Sequence, residues 1–197
     1  APTVTTGIVS ALERRLDVGG QDMNSAVTLF GLIQTDAPIT RGSSGGALLN
    51  QKGELIGITT AIATADVGAE GLGFAVPINL ALNISKDLVD DGKVYHSFLG
   101  ILGAQHFEVA EDGARIFSGV EIQELYGPAN DIYAIGKAGA LPGDIIKKVN
   151  GKNIKTLDGL ISFLRSKKAG DEISIEIIRN GQVITLEFLL DLRPSDV

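Results

Sequence analysis

A mainly β fold in two domains is what this sequence predicts, and three observations predict it. Short runs rich in β-branched residues recur along the chain, as in Val4-Thr5-Thr6-Gly7-Ile8-Val9, Glu54-Leu55-Ile56-Gly57-Ile58 and residues 173–179. Glycine-bearing turns separate such runs, and Asn180-Gly181 is the strongest hairpin signal among them. Helical apolar spacing marks two stretches. Residues 77–91 place Leu80, Ile84, Leu88 and Val89 on one face, and residues 157–167 do the same with Leu157, Leu160, Ile161 and Leu164. A linker near residues 93–97 divides the chain into 1–94 and 95–197.

Taken in order, residues 4–11 read as a strand. Residues 12–28 are polar and glycine-containing, with Glu13, Arg14, Arg15, Asp17, Gly19 and Gly20, and read as a long surface loop. A short strand follows at 30–34. Residues 46–49 and 54–61 form a hairpin around Asn50-Gln51-Lys52-Gly53, then 64–70 is a loop and 73–76 a strand. Pro77 opens the first helix, because its fixed φ suits a first turn, and Gly92 ends it as a left-handed cap. In the second part, Gly119-Val120-Glu121-Ile122, Gly143-Asp144-Ile145-Ile146 and Val149-Asn150-Gly151 supply strands and turns. Residues 173–179 and 183–190 pair across Asn180-Gly181.

The 197 residues are 44% hydrophobic and 21% charged, an ordinary globular balance. A net charge of −7, with no Lys/Arg run beyond two, argues against a nucleic-acid partner. No cysteine is present, so neither a disulfide framework nor a thiol metal site is expected, and nothing suggests a metal or organic cofactor. No apolar run has the length of a membrane span. The opening Ala1-Pro2-Thr3-Val4 lacks the basic and apolar regions of a signal peptide, so an export signal or anchor is expected only upstream.

The chemistry concentrates in Arg41-Gly42-Ser43-Ser44-Gly45-Gly46-Ala47-Leu48-Leu49. A serine hydroxyl attacks a carbonyl only when a base takes its proton and amides receive the developing oxyanion. Gly42 allows a turn in which the Gly42 and Ser44 amides point together, and Gly45 and Gly46 leave room for close backbone approach. The alternative reading is a glycine-rich turn ahead of a strand.

Gln34-Thr35-Asp36-Ala37-Pro38-Ile39 precedes this stretch, and Asn50-Gln51-Lys52-Gly53-Glu54-Leu55-Ile56-Gly57-Ile58 and Gly71-Leu72-Gly73-Phe74-Ala75-Val76-Pro77 follow it. In this order and spacing the sequence resembles the HtrA family of trypsin-like serine proteases, from about Thr3 to Val94, with a PDZ-like module after it. The resemblance implies the C-terminal β-barrel of a two-barrel protease domain followed by an α+β PDZ-like domain. It makes Ser44 the nucleophile and Gly42 an oxyanion-hole amide; Ser43 stands where the family usually has Asn. Residues 12–28 take the place of the family's sensor loop, with a disordered surface loop as the alternative. Thr59, Thr60, Ala61, Ile62 and Ala63 match the substrate-binding strand. With Ile39 they imply an apolar pocket for small or medium aliphatic side chains, the alternative being simple core packing. Asp36 matches a non-catalytic position.

Phe98-Leu99-Gly100-Ile101-Leu102 resembles the family's carboxylate-binding loop. A peptide C-terminus would cap onto the loop amides while its backbone adds as a strand. Leu99, Gly100 and Ile101 form one wall of this groove and Leu160, Ile161 and Leu164 the other; an ordinary buried strand is the alternative. Gly127-Pro128-Ala129 and Ala138-Gly139-Ala140-Leu141 stand further apart than the family's corresponding pair, which looks like an insertion.

In this family the triad runs His, Asp, Ser, yet none of the 43 residues before Ser44 is a histidine. His96 and His106 lie beyond the nucleophile, where solvated or packing roles are expected. The resemblance therefore implies the second barrel plus PDZ domain of an ATP-independent endopeptidase of protein quality control or regulated proteolysis. That protein would act on unfolded or misfolded proteins and peptide C-termini, outside the cytoplasm, in a trimer when full-length. The chain alone is expected to be inactive. The alternatives are a non-catalytic peptide-binding fragment or pseudoprotease, and a fragment that complements a separately supplied first barrel.

Overall fold

The computed structural model describes residues 3–18, 27–40, 42–62, 72–127 and 131–194, with the backbone alone at 61–62. The chain divides into two compact units, Ala1–Val94 and Tyr95–Val197. Both are built on antiparallel sheet.

In the first unit, β1 (Val9–Val18), β2 (Val27–Thr35), β3 (Ala47–Leu49), β4 (Leu55–Ile62) and β5 (Gly73–Pro77) form one sheet in the order β1-β2-β5-β4-β3. The strand expected over 4–11 begins only at Val9, and β1 runs on through residues read from sequence as loop. Pairing with β2 explains this. It supplies partners from Val9 opposite Thr35 to Val18 opposite Val27, and bulges absorb the irregular register, with Glu13 at φ 56°. The rest of the predicted sensor loop, residues 19–26, lies outside the described residues. Leu32, Ile33, Ala37, Ile39, Phe74 and Ala75 are buried. The β3–β4 turn is held by the Asn50 side chain, whose Oδ1 accepts the Lys52 amide at 2.9 Å and the Glu54 amide at 3.0 Å. Helix α1 (Ile78–Asp91) starts behind Pro77 and stops at Gly92, whose φ of 71° lets its amide return to the Leu88 carbonyl at 3.1 Å.

The second unit holds β6 (Ser97–Phe98), β7 (Ile101–Val109), β8 (Arg115–Leu125), α2 (Ala134–Lys137), β9 (Ile145–Val149), β10 (Lys152–Asn153), α3 (Leu157–Arg165), β11 (Glu172–Arg179), β12 (Gln182–Leu189) and β13 (Asp191–Leu192). Its main sheet runs β12-β11-β9-β8-β7, with β10 beside β9, while β6 pairs with β13. Alternation along β8, β9 and β11 sends Val120, Ile122, Ile146, Val149, Ile173, Ile175 and Ile177 into one core. Two hairpin turns place both central residues at positive φ: Asn150 and Gly151 at 46° and 75°, Asn180 and Gly181 at 50° and 77°. Thr156 caps α3 by accepting the Gly159 amide at 3.0 Å, and the helix ends at Arg165, two residues earlier than its apolar spacing suggests.

One ion pair is sunk into this unit. Asp144, 1% exposed, receives Nε of Arg179 on Oδ1 at 2.7 Å and Nη2 on Oδ2 at 2.6 Å. The Leu141 amide adds a third bond to Oδ2 at 2.8 Å, and Nη2 also reaches the Gly139 carbonyl at 2.7 Å. Both carboxylate oxygens are thus hydrogen-bonded, the condition under which a buried carboxylate is tolerated. The hydrogen bond to Asp144 holds the guanidinium above its ordinary pKa.

Candidate functional site

Ser44 lies in a loop stitched to β4 from both ends. The Gly45 amide donates to the Thr59 carbonyl at 2.7 Å, and the Thr59 amide donates to the Gly46 carbonyl at 2.9 Å. Before the serine, the Ser43 amide closes a turn onto the Thr40 carbonyl at 3.0 Å, with Gly42 at φ 93°. A positive φ at the third position of the turn suits glycine, because a side chain there would be strained. A second glycine constraint sits at Gly46: a Cβ there would come within 2.9 Å of the Ser43 carbonyl oxygen.

The Ser44 side chain is exposed, and its hydroxyl donates to the Thr60 carbonyl at 3.1 Å. Among the described residues, the Gly42 and Ser44 amides donate to no protein acceptor. One hydroxyl and two uncommitted amides in one short loop are the parts an acyl transfer needs at its electrophile. A base is the missing part: residues 1–94 contain no histidine.

The predicted pocket residues separate in the structure. Thr59 is 8% exposed, and its hydroxyl donates to the Ser43 carbonyl and, at 3.2 Å, to the Gly46 carbonyl. Its side chain is therefore a clamp on the serine loop and is not turned out to a substrate. Ile39 is also inside, 9% exposed, with its Cδ1 2.5 Å from where a Cβ on Gly73 would stand. That is the core reading of Ile39: the side chain fills the space over a residue that has none. Thr60 offers its carbonyl to Ser44. Ala61 and Ile62 continue β4, with side chains outside the description, and Ala63 lies outside the described residues. Asp36 accepts the Ile8 amide at 2.7 Å, which ties the segment before β1 to the end of β2. Gly7 makes this contact possible, since a Cβ there would stand 2.3 Å from the Asp36 carboxylate.

In the second unit, β7 is an edge strand, paired with β8 alone among the described residues. Leu99 and Gly100 precede it. Leu99 is 3% exposed and belongs to the core, while Gly100 turns at φ 72°. Neither of their amides donates to a protein acceptor among the described residues. Helix α3 lies near β7, and Gln105 joins the two. Its Oε1 accepts the Leu157 amide at 3.1 Å, and its Nε2 lies 2.9 Å from the carbonyls of His106, Gly119 and Lys155. An open strand edge, free turn amides and a facing helix are the components of peptide recognition by strand addition.

On α3 the sequence reading needs correction. Leu160 is 2% exposed and packs in the core, so it lines no groove. Ile161 and Leu164 keep partial exposure, Leu164 with one side against the core. The helix turns a stripe inward, and its central residue is the one engulfed. Both histidines belong to the second unit, and the serine loop to the first. His96 gives its carbonyl to the Arg193 amide at 2.9 Å, and His106, on β7, has Nδ1 3.8 Å from Glu121. No group of three or more His, Cys, Asp or Glu that could hold a metal occurs among the described residues, and no helix there is long and apolar enough to cross a membrane.

Sequence reasoning missed the roles of three residues: Thr59 as a clamp, Gln105 as a brace, and Tyr133, whose ring lies where a Cβ on Gly100 would stand. No local motif signals any of them, because each acts on a segment distant in sequence.

Comparison with known proteins adds the family context. A model of the trypsin-like peptidase domain matches residues 1–58, and a model of the PDZ domain matches residues 100–190. The periplasmic pH-dependent serine endoprotease DegQ of Escherichia coli K12 is 39% identical over 98% of this chain and 40% of its own length. The serine protease PepD of Mycobacterium tuberculosis is 37% identical over 88% of this chain and 36% of its own. The chain thus spans about two-fifths of the length of these relatives. Among solved structures, the HtrA-type protease AlgW with a tripeptide superposes with a TM-score of 0.63 at 35% identity, covering 98% of this chain and 61% of that one. The same protease with a decapeptide gives 0.61 at 35% identity, covering 98% and 57%.

Proposed function

Because this chain belongs to the HtrA family of PDZ-containing, trypsin-like serine proteases, we propose that it is the part of such an endopeptidase that carries the nucleophile and a peptide-binding module. Residues 1–94 supply the nucleophile half of the protease domain, and residues 95–197 the PDZ domain. Ser44 attacks the scissile carbonyl, and the Gly42 and Ser44 amides receive the oxyanion. The observation that carries this reading is the serine loop itself: an exposed hydroxyl beside two amides that are uncommitted among the described residues, with Gly42 at φ 93° in the turn. Thr59 holds the loop carbonyls in place.

The hydroxyl now donates to the Thr60 carbonyl, an acceptor that cannot carry its proton away during attack. With no histidine in residues 1–94, the isolated chain is inactive, and activity needs a base and its orienting acid from outside this sequence. The PDZ domain binds extended peptides that end in a free carboxylate, which are substrate or activator C-termini. Unfolded or misfolded proteins are the substrates, and the location is outside the cytoplasm, as the names of the periplasmic relatives suggest.

A fluorophosphonate probe tests the catalytic reading. Ser44 should remain unlabelled in the 197-residue chain and become labelled in a longer protein that supplies the base. Labelling of the isolated chain would show a base within it, and absence of labelling in the active longer protein would remove Ser44 as nucleophile.

A further inference from the structure

The Leu99–Gly100 turn is held from behind by one side chain. A Cβ built on Gly100 would stand 2.5 Å from Cδ2 of Tyr133, 2.6 Å from its Cβ and 2.7 Å from its Cγ. Tyr133 therefore rests directly on the Gly100 backbone, in the space that any other residue would fill. The same ring meets Phe98 edge-on, with centroids 5.1 Å apart and planes at 86°. Aromatic packing thus grips the turn at Gly100 and at Phe98, one residue before Leu99.

The backbone around this contact forms a closed circuit. The Tyr126 amide donates to the Gly100 carbonyl at 2.7 Å, and the Tyr133 amide donates to the Tyr126 carbonyl at 3.2 Å. The next amide, of Ala134, donates to Oδ2 of Asp191 at 2.7 Å. Asp191 pairs across the two-stranded ladder with Phe98, which returns the circuit to the turn. The Gly100 carbonyl is consumed inside this circuit, while the Leu99 and Gly100 amides remain uncommitted among the described residues. Hydrogen-bond recognition of a carboxylate depends steeply on amide direction, so whatever fixes this turn fixes the recognition.

We propose that Tyr133 is a positioning residue for carboxylate recognition, setting the direction of the Leu99 and Gly100 amides through its contact with Gly100 and Phe98. The inference rests on the reading of the turn as a carboxylate-binding loop. Glycine at position 100 is required for two reasons, the positive φ and the seat for the tyrosine. The close neighbour at Gly100 is thus Tyr133, and the reason for glycine lies behind the turn.

The test uses the whole 197-residue chain and a fluorescein-labelled hexapeptide ending in valine, made as the free acid and as the C-terminal amide. The quantity read is the ratio of the two affinities. It does not change when a variant merely loses folded protein, because both peptides then weaken together. The native chain should prefer the acid by about tenfold or more, the worth of a charge-assisted hydrogen bond. Tyr133→Ala should bring the ratio to near one. Tyr133→Leu, which keeps apolar bulk but not the flat ring, should lower it by severalfold, and Tyr133→Phe should leave it unchanged. If the native chain prefers neither peptide, the carboxylate-loop reading itself fails. If the native chain discriminates and both the Ala and Leu variants keep its ratio, the loop reading stands and the role of Tyr133 is overturned.

Discussion

Truncating Leu160 and its neighbour Ile161 separately should split stability from binding on one helix. Leu160 is 2% exposed within the core of the second unit, while Ile161 is partly exposed on the side proposed to face a peptide. Leu160→Ala removes about three methylene equivalents from that core, a transfer loss of about 2.4 kcal/mol. The cavity left in the core of this unit adds to this, and the total should be about 3–4 kcal/mol. For a unit of about one hundred residues, a loss of 3 kcal/mol lowers the melting temperature by about 14 °C. It should lower the urea midpoint by about 2 M. Ile161→Ala should cost about 1 kcal/mol in the same assay and weaken a free-acid peptide by about tenfold, the worth of one apolar side chain left without its cover. Urea titration of each variant, followed by peptide titration in water, reads both effects. A Leu160→Ala cost below about 1 kcal/mol, or equal costs at the two positions, would refute the assignment of inward and outward residues on α3.

Three further outcomes follow from the geometry. Ser44→Ala in a longer, active protein should abolish cleavage of an unfolded substrate while the melting temperature stays within about 2 °C of the parent; near-normal turnover would remove the serine from the mechanism. Thr59→Val keeps the shape but loses the hydroxyl that the Ser43 and Gly46 carbonyls accept, so the chain should lose about 1–2 kcal/mol, and catalysis in a longer protein should fall while peptide binding by the second unit is unchanged. An unaltered urea midpoint would show that the clamp is not formed. The carboxyls of Glu108 and Asp131 are held below their ordinary range, first by hydrogen bonds from Lys147 and Lys137. A depressed carboxyl stabilises the fold above its unfolded pKa, and that gain is lost as pH falls through the folded value. Glu108→Gln should therefore be slightly less stable than the native chain at pH 7, with the difference closing once pH falls below about 4.5. A difference that persists unchanged in acid would show that the charge is not its source.

What the sequence determined by itself was local. The Asn-Gly and Gly-rich turns were legible because a positive φ is a property of one residue and its neighbours, as at Gly42, Gly92, Asn180 and Gly181. The spacing of the Gly-x-Ser-Gly-Gly stretch singled out Ser44 for the same reason: the proposed nucleophile and its proposed amides lie within three residues. The existence of α1 and α3 followed from apolar period. What only the tertiary structure decided was everything that acts across the chain. Strand β1 continues past Leu12 because β2 offers it partners, against the polar composition of that stretch. Thr59 turns its hydroxyl inward because two loop carbonyls wait there from sixteen and thirteen residues upstream. Helical period identifies a face but not its deepest member, so Leu160 was separated from Ile161 only by the sheet packed beneath it. Tyr133 gives no local sign of touching Gly100, since the two are held together by the pairing of β7 with β8 and by Asp191 accepting the Ala134 amide. Turn chemistry depends on dihedral preferences that each residue carries with it, whereas clamps and supports depend on which distant surfaces folding brings within a few ångströms.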